Sequence, residues 1–316
     1  MTFAGSPERV EAQLVPDAGY EFDPFLVRGL PRRPGVALAR AALLAGRAPA
    51  ACARILAARQ PHVVLGGGGF VAGPMVFAAW RRRIPTALTE ADAHLGLANR
   101  LALPYARRVF LAYPVRAGAK YRVVGRPIPA TSRTVPQDDA RRLFELPPEG
   151  PVLAVFGALA GARALNDFAV DAFGAEGPPV LHVSGERDYA ALRGRVRRDD
   201  YRLVPTVERF GAVLSAADLA ISRAGGTVWE LAAAGLPAIL VPYPHATADH
   251  QTLNARHFEG GAVVVPQREL ATVPGLVRSL LADPKRLARM SAEMRRLARP
   301  DAAKVIAEEL IALASA

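Results

Sequence analysis

The chain has little cysteine, little lysine and few aromatic residues. Cys52 is the one cysteine among 316 residues, which excludes a disulfide within this sequence. It lies in an apolar stretch with a helical pattern, where a thiol is usually inert packing material. The absence of disulfides favours a reducing compartment, so we expect a cytoplasmic protein.

Lysine is scarce although the chain is strongly basic. Lys and Arg number 40 against 29 Asp and Glu, which leaves a net charge of +11, and Lys occurs only at Lys120, Lys285 and Lys304. Basic chains attract nucleic acid. However, only 7% of the residues are aromatic, and no segment interleaves Arg with the Phe or Tyr that stack on single-stranded bases. We therefore expect no nucleic-acid partner.

Long uninterrupted apolar runs are also missing. The longest uncharged windows span 60–80 and 231–248; four glycines and Pro74 break the first, and three prolines break the second. Neither window is typical of a membrane-spanning helix. The first residues show no basic segment followed by an apolar run, so we predict no signal peptide.

Short apolar runs alternate with helical patterns along nearly the whole chain, which is typical of parallel sheets with helices on both faces. The length is enough for about two domains of roughly 150 residues. We predict doubly wound α/β domains at 1–127 and 134–300, a breaker-rich linker at 126–133, and a C-terminal helix at 301–316 that packs back on the first domain. Ligands are expected in a cleft beyond the carboxyl ends of the strands. The predicted strands are 62–65, 86–89, 109–112, 122–124, 152–156, 180–183, 201–204, 219–222 and 238–241, and the predicted helices of the first half are 36–59, 71–82 and 95–102.

A glycine-containing turn follows the predicted strand at 219–222 and opens a helix. Glycines here free backbone N–H groups at a helix N-terminus, where the dipole favours an anion such as a diphosphate. Arg223 adds positive charge, Thr227 adds a hydroxyl, and the Glu230 carboxylate can accept hydrogen bonds from adjacent ribose hydroxyls. An ordinary strand-turn-helix junction is the alternative.

The loop at 242–251 leads into another helix start. Gln251 and Asn254 supply donors and acceptors that suit a ligand rich in hydroxyls, although solvated side chains beside a helix cap are the alternative. His245 and His250 lie close together, but no third ligand at zinc-like spacing accompanies them. We therefore expect no metal site.

A glycine run at 66–69 joins a predicted buried strand to a helix. Backbone without side chains can approach a phosphate closely, which makes Gly67, Gly68 and Gly69 candidates for a second anion site. A flexible turn is the alternative.

Two carboxylates follow the predicted strand at 86–89. Glu90 and Asp92 are candidate general bases at the expected cleft. Asp92 is explained about as well by a helix cap.

Together these blocks resemble the MurG-type UDP-N-acetylglucosamine transferases, which add the second sugar to a lipid-linked peptidoglycan precursor. The resemblance covers nearly the whole chain, and its most specific parts are 223–237 and 249–254. It implies a GT-B fold with two Rossmann-like domains facing a cleft, and an inverting transfer that needs neither metal nor cofactor. The implied partners are a UDP-sugar donor and a lipid-linked, polyprenyl-diphosphate acceptor.

The resemblance also assigns roles to individual positions. It places the uracil at the backbone of Val207, the ribose at Glu230, and the sugar at Gln251 and Asn254. It places the diphosphate at Arg223, Ala224, Gly225, Gly226 and Thr227. The residues alone predict two phosphate-bearing ligands, and the sugar transfer comes from the resemblance.

The chain departs from the family pattern in several places. The family begins with a strand, a Gly-rich loop ending in His, and a helix, whereas this sequence starts at what matches the second strand, so we expect the first domain to be incomplete. A His-Glu-Gln-Asn segment of the family is Thr-Glu-Ala-Asp at 89–92, and a phosphate-contacting loop is altered at 157–162. The hinge arginine is replaced by Pro129, with Arg126 close enough to compensate.

A membrane-facing surface is predicted in the first domain. The helix at 36–59 carries leucines edged by arginines, and Trp80 is followed by Arg81, Arg82 and Arg83. Such a surface suits docking on anionic lipid without insertion. A helix packed on the sheet with a solvated arginine face is the alternative.

We therefore expect a glycosyltransferase, peripheral on the cytoplasmic face of the membrane, that moves N-acetylglucosamine from its UDP form to a lipid-linked acceptor. The altered loops also fit a related transferase acting on a different lipid or a small molecule. The departure at the N-terminus also fits a noncatalytic or half-site nucleotide-sugar-binding subunit that needs a partner.

Overall fold

A computed structural model describes residues 1–29, 35–157 and 162–315, except for the side chains of 37–42. The chain forms two compact units. The first contains Met1–Val124 and Lys304–Ala316, and the second contains Gly125–Ala303.

The first unit contains two parallel sheets. Strands β1 (Thr2–Gly5) and β2 (Glu21–Pro24) pair with each other, and β3 (Val64–Gly66), β4 (Thr86–Glu90), β5 (Arg108–Leu111) and β6 (Tyr121–Val123) form a separate sheet in that order. Its helices before residue 124 are α1 (Glu11–Asp17), α2 (Val36–Arg59), α3 (Gly69–Arg81) and α4 (Leu97–Ala102). The apolar pattern did not predict β1 and β2, because they are largely exposed and lack the apolar runs of buried parallel strands. For the start of the chain, a strand was implied by the family resemblance alone.

The second unit contains one parallel sheet with the strand order β12-β11-β10-β7-β8-β9. The strands are β7 (Leu153–Phe156), β8 (Val180–Val183), β9 (Tyr201–Val204), β10 (Leu219–Ser222), β11 (Ala238–Leu240) and β12 (Ala262–Val264). The helices are α5 (Gln137–Leu143), α6 (Arg163–Phe173), α7 (Glu186–Leu192), α8 (Phe210–Ala216), α9 (Val228–Ala234), α10 (His250–Arg256), α11 (Val273–Leu281), α12 (Pro284–Leu297) and α13 (Ala302–Ala314), the last of which continues into the first unit.

The apolar runs of the second half became the centre of this sheet. All residues of β7, β10 and β11 are buried, because helices cover both faces of a parallel sheet. The bounds of β8, β9 and β10 are those predicted from sequence. Strand β12 was not predicted, since its apolar run of three residues is too short to be distinctive.

The order of the strands indicates where a ligand is expected in the second unit. Strand order reverses between β7 and β10, which pair directly with each other. In doubly wound sheets, ligands bind beyond the carboxyl ends of the strands at such a switch point. The loops that leave this point begin at Gly157 and Arg223. Residues 158–161 of the first loop lie outside the described residues. They are part of the segment at 157–162 that departs from the family pattern.

Helices α2 and α3 cover the sheet of the first unit. Cys52 of α2 is fully buried beside Leu56 and Val64, and burial raises the pKa of its thiol to about 12. A thiol with this pKa stays protonated near neutral pH. Cys52 is therefore packing material, as its apolar surroundings in the sequence indicate.

The end of α13 belongs to the first unit. Ile306 packs against Ala87 and Phe110, and Glu309 forms ion pairs with Arg108 and Arg122 at 2.9 and 3.4 Å. The C-terminal segment thereby completes the core of the first unit. Within the described ranges, no helix has both the length and the apolarity to cross a membrane.

Candidate functional site

The loop after β10 leaves the switch point with an open backbone. Ala224 is fully buried, while Gly225, Gly226 and Thr227 are partly exposed. A methyl group added to Gly225 would meet no atom within 4 Å. The backbone at Gly225 is therefore accessible to a phosphate, as the glycine pattern predicts.

Arg223 is directed into the protein. Its side chain is buried, and its guanidinium donates to the carbonyl oxygens of Val241 and Pro242 at 3.1 and 3.3 Å and to Gln267 Oε1 at 2.7 Å. Burial lowers the pKa of Arg223. These bonds anchor the segment after β11, and a contact of Arg223 with the diphosphate stays a prediction.

Glu230 lies in the first turn of α9 and is held by a residue of the linker. The hydroxyl of Ser132, which is buried, donates to Glu230 Oε1. Ser132 ends a short 3-10 helix, Ala130–Ser132. The bond orients the carboxylate and leaves its other oxygen to accept from a ligand hydroxyl. Sequence reasoning missed Ser132, because no local pattern links it to a residue 98 positions away.

The two amides predicted to contact the sugar hold the surrounding loops. Asn254 is fully buried and donates from Nδ2 to the carbonyl oxygen of Ala224 at 3.2 Å. Gln251 Oε1 accepts from the backbone N–H of Tyr243 at 2.9 Å. Both residues thus hold the loops after β10 and β11, and their contact with a sugar stays a prediction. Val207, the predicted uracil contact, follows β9 at the carboxyl edge of the same sheet and is partly exposed.

A buried polar network supports the strands beside this site. Asn166 of α6 donates from Nδ2 to the carbonyl oxygen of Ser184 at 2.8 Å and to Asp188 Oδ2 at 3.0 Å. Its Oδ1 lies 3.1 Å from Nε2 of His182, whose Nδ1 lies 2.8 Å from the hydroxyl of Tyr201. Since Asn166 Oδ1 only accepts, the network assigns the proton of His182 to Nε2. Burial lowers the pKa of His182 to about 4, so the ring is neutral at physiological pH.

The glycine run of the first unit forms the turn between β3 and α3. Gly68 and Gly69 have φ values of +89° and +67°, a left-handed conformation that favours glycine. A methyl group on Gly67 or Gly69 would meet no atom within 4 Å, whereas one on Gly68 would lie 3.8 Å from the carbonyl oxygen of Thr89. The run is therefore accessible and lies beside the end of β4, as expected for a ligand loop.

The two candidate bases follow β4 in different surroundings. Glu90 is buried, and its Oε2 accepts from Asn99 Nδ2 and from the backbone N–H of Gly96, both at 2.9 Å. These bonds shape the loop that leads to α4. Asp92 is more exposed than Glu90, and neither residue's role as a base is tested by the geometry alone.

An aromatic cluster is exposed on the first unit. Trp80 is 47% exposed, and its ring centroid lies 6.0 Å from that of Phe77 and 4.9 Å from that of Tyr105. The next residues, Arg81, Arg82 and Arg83, are all exposed. Leu97 and Leu101 of the same unit are each 65% exposed. Trp80 and the three arginines are thus exposed on the same unit, and their docking on a membrane stays a prediction.

His245 and His250 do not belong to a group of metal-binding side chains among the described residues. The described part of the chain contains no group of three or more His, Cys, Asp or Glu side chains arranged to hold a metal ion. The imidazole of His250 is instead 2.8 Å from the carbonyl oxygen of Thr247.

Comparison with known families matches both halves of the chain. Residues 2–111 match the glycosyltransferase family 28 N-terminal domain, and residues 152–306 match the glycosyltransferase family 28 C-terminal domain. A protein of Salinibacter ruber, named UDP-N-acetylglucosamine--N-acetylmuramyl-(pentapeptide) pyrophosphoryl-undecaprenol N-acetylglucosamine transferase, is 39% identical over 99% of this chain and 88% of its own length.

Solved structures show the same fold. The crystal structure of MurG from Acinetobacter baumannii is similar with a TM-score of 0.80 and 26% identity, over 98% of this chain and 90% of that one. The calicheamicin glycosyltransferase CalG4 shares the fold with a TM-score of 0.67 and 18% identity, over the same shares of the two chains. The predicted GT-B class and the resemblance to the MurG-type transferases are confirmed.

Proposed function

This chain belongs to glycosyltransferase family 28, and we propose that it transfers N-acetylglucosamine from UDP-N-acetylglucosamine to undecaprenyl-pyrophosphoryl-N-acetylmuramyl-pentapeptide. The donor and acceptor are those in the names of relatives that match nearly its whole length. The observation that carries the proposal is the second unit's switch point, where the accessible loop at Gly225 and the oriented carboxylate of Glu230 lie together.

The second unit binds the donor in this proposal. Backbone N–H groups of 224–227 contact the diphosphate, and the free oxygen of Glu230 accepts from a ribose hydroxyl. Val207 contacts the uracil through its backbone, and Gln251 and Asn254 border the sugar.

The first unit binds the acceptor. The backbone of Gly67, Gly68 and Gly69, of which Gly67 and Gly69 are exposed, contacts the acceptor's pyrophosphate. Glu90 and Asp92 are the two candidate general bases in this proposal, and the Glu90 carboxylate also holds its own loop.

The reaction is a displacement at the anomeric carbon of the donor. The acceptor hydroxyl forms the new C–O bond and passes its proton to the base, while the bond to the β-phosphate oxygen breaks and its electron pair leaves with UDP. Fixed backbone N–H groups and an arginine guanidinium stabilise the negative charge that develops on UDP as it leaves. Attack opposite the leaving group inverts the configuration.

The direct test is a transfer assay with the purified chain. With UDP-N-acetylglucosamine and the undecaprenyl-linked acceptor in detergent, we expect acceptor-dependent release of UDP and a glycosylated lipid product detected by mass spectrometry. Omitting the acceptor is the control, since hydrolysis also releases UDP. Binding of UDP without any transfer to this acceptor would contradict the proposal.

We also propose that the aromatic cluster and Arg81, Arg82 and Arg83 dock the enzyme on the cytoplasmic face of the membrane. Replacing the three arginines with glutamine is expected to reduce binding to vesicles containing anionic lipid by about 100-fold, at about 1 kcal/mol per basic residue near such a surface. Cosedimentation at two salt concentrations measures this. A triple replacement of Arg193, Arg195 and Arg197 in the second unit is the charge-matched control. Equal vesicle binding by both variants would refute the docking surface.

A further inference from the structure

We propose that Arg126, rather than Arg223, provides the positive charge that faces the diphosphate of the UDP-sugar; this assignment rests on the proposed function. It deepens that function by naming a binding residue that the glycine loop itself does not contain.

The guanidinium of Arg126 lies directly on the glycine loop. A methyl group added to Gly226 would come within 2.4 Å of Arg126 Cζ, 2.5 Å of Nη1 and 2.7 Å of Nε. The plane of the guanidinium therefore occupies the space beside the α-carbon of Gly226, which only glycine leaves free. Next to it, the backbone at Gly225 faces open space, so an anion that reaches this backbone also meets the guanidinium.

The backbone of Arg126 is held in place by its neighbour. Gly125 is buried and has a φ of +82°, a conformation that favours glycine. A methyl group there would come within 2.4 Å of Arg299 Cβ and 3.2 Å of Trp229 Cζ3. Because Trp229 belongs to α9, Gly125 ties the start of the linker to the helix that follows the glycine loop. This contact places Arg126 before any ligand arrives.

The charge of Arg126 is available for a ligand. Its side chain is partly buried, and among the described residues its guanidinium forms no hydrogen bond or ion pair. The loop from Arg223 to Thr227 contains no acidic residue. A partly buried cation without a counter-ion is unfavourable, and an anion beside it relieves the cost of desolvation.

The charge of Arg223 is used elsewhere. Its guanidinium is buried and already donates to Val241, Pro242 and Gln267. A rotation of the Arg223 guanidinium away from these acceptors would leave them unpaired, which is costly for buried groups. The planar guanidinium of Arg126, by contrast, can pair with two phosphate oxygens at once.

Calorimetric titration with UDP and with uridine tests the assignment, because only UDP carries phosphates. For Arg126→Gln, we expect the dissociation constant of UDP to rise about tenfold and that of uridine to stay unchanged. Gly226→Ala keeps the charge of Arg126 but displaces its guanidinium. This variant should also weaken the binding of UDP more than the binding of uridine. Arg133→Gln is the matched control, because Arg133 is an exposed arginine of the same linker.

Arg223→Gln tests the role of Arg223 separately from that of Arg126. We expect it to lower the thermal stability while the ratio of UDP to uridine affinity stays as in the unmodified chain. The assignment is overturned if that ratio falls in Arg223→Gln and is unchanged in Arg126→Gln and Gly226→Ala. If the unmodified chain binds neither UDP nor uridine, the proposed function fails, and this assignment fails with it.

Discussion

Glu230→Ala is expected to weaken UDP binding by about 1–3 kcal/mol, or roughly 5-fold to 150-fold, because a hydrogen bond to a charged group is stronger than one between neutral groups. The carboxylate lies in the first turn of α9, and the hydroxyl of Ser132 fixes one of its oxygens. Isothermal titration with UDP measures the loss. Glu176→Ala is the control, because Glu176 is an exposed glutamate of the same unit.

Ser132 provides a second measurement of the same contact. If Ser132 acts only by orienting Glu230, Ser132→Ala should weaken UDP binding by less than Glu230→Ala, and the double variant should bind no more weakly than Glu230→Ala alone. Titration with 2′,3′-dideoxyuridine diphosphate, which lacks both ribose hydroxyls, should show no effect of Glu230→Ala. Loss of affinity for this analogue in the Glu230 variant would argue against a ribose contact.

The stability of the second unit is expected to fall as the pH is lowered from about 7 to about 4, because of His182. Its pKa is about 4 in the folded chain and 6.5 without burial. The unfolded chain therefore binds a proton in this range while the folded chain does not, which favours unfolding. The difference amounts to about 3 kcal/mol, and it stays constant below about pH 4, where both states are protonated.

Denaturant unfolding at several pH values measures this effect. Trp229 reports on the second unit when Trp80 is replaced with phenylalanine, since these are the two tryptophans of the chain. His182→Gln should remove about 3 kcal/mol of the pH dependence, and His245→Gln, an exposed histidine of the same unit, should leave it unchanged. An NMR titration of the His182 ring in the folded chain gives a direct check. A ring pKa near 6.5 would contradict the expectation.

Much of the fold was predictable because its signals are local. The strands of the second unit read as apolar runs since helices bury both of their faces, and β8, β9 and β10 have the predicted bounds. The glycine loops after β3 and β10 were predictable for a similar reason, as a strand, a turn and a helix start follow one another in the sequence. The apolar pattern missed β1 and β2, because exposed residues interrupt it, and it missed β12, which has only three residues.

The sequence by itself determined the two α/β units, the family, and the glycine loops after β3 and β10. Only the tertiary structure decided what the individual side chains do there. It directs Arg223 into the protein toward Gln267, brings Arg126 onto Gly226, and joins Ser132 to Glu230. These pairs are far apart in the chain, and no periodicity or spacing encodes them. They form because the strand order and the path of the linker bring distant segments together, and this packing is set by the whole core rather than by neighbouring residues.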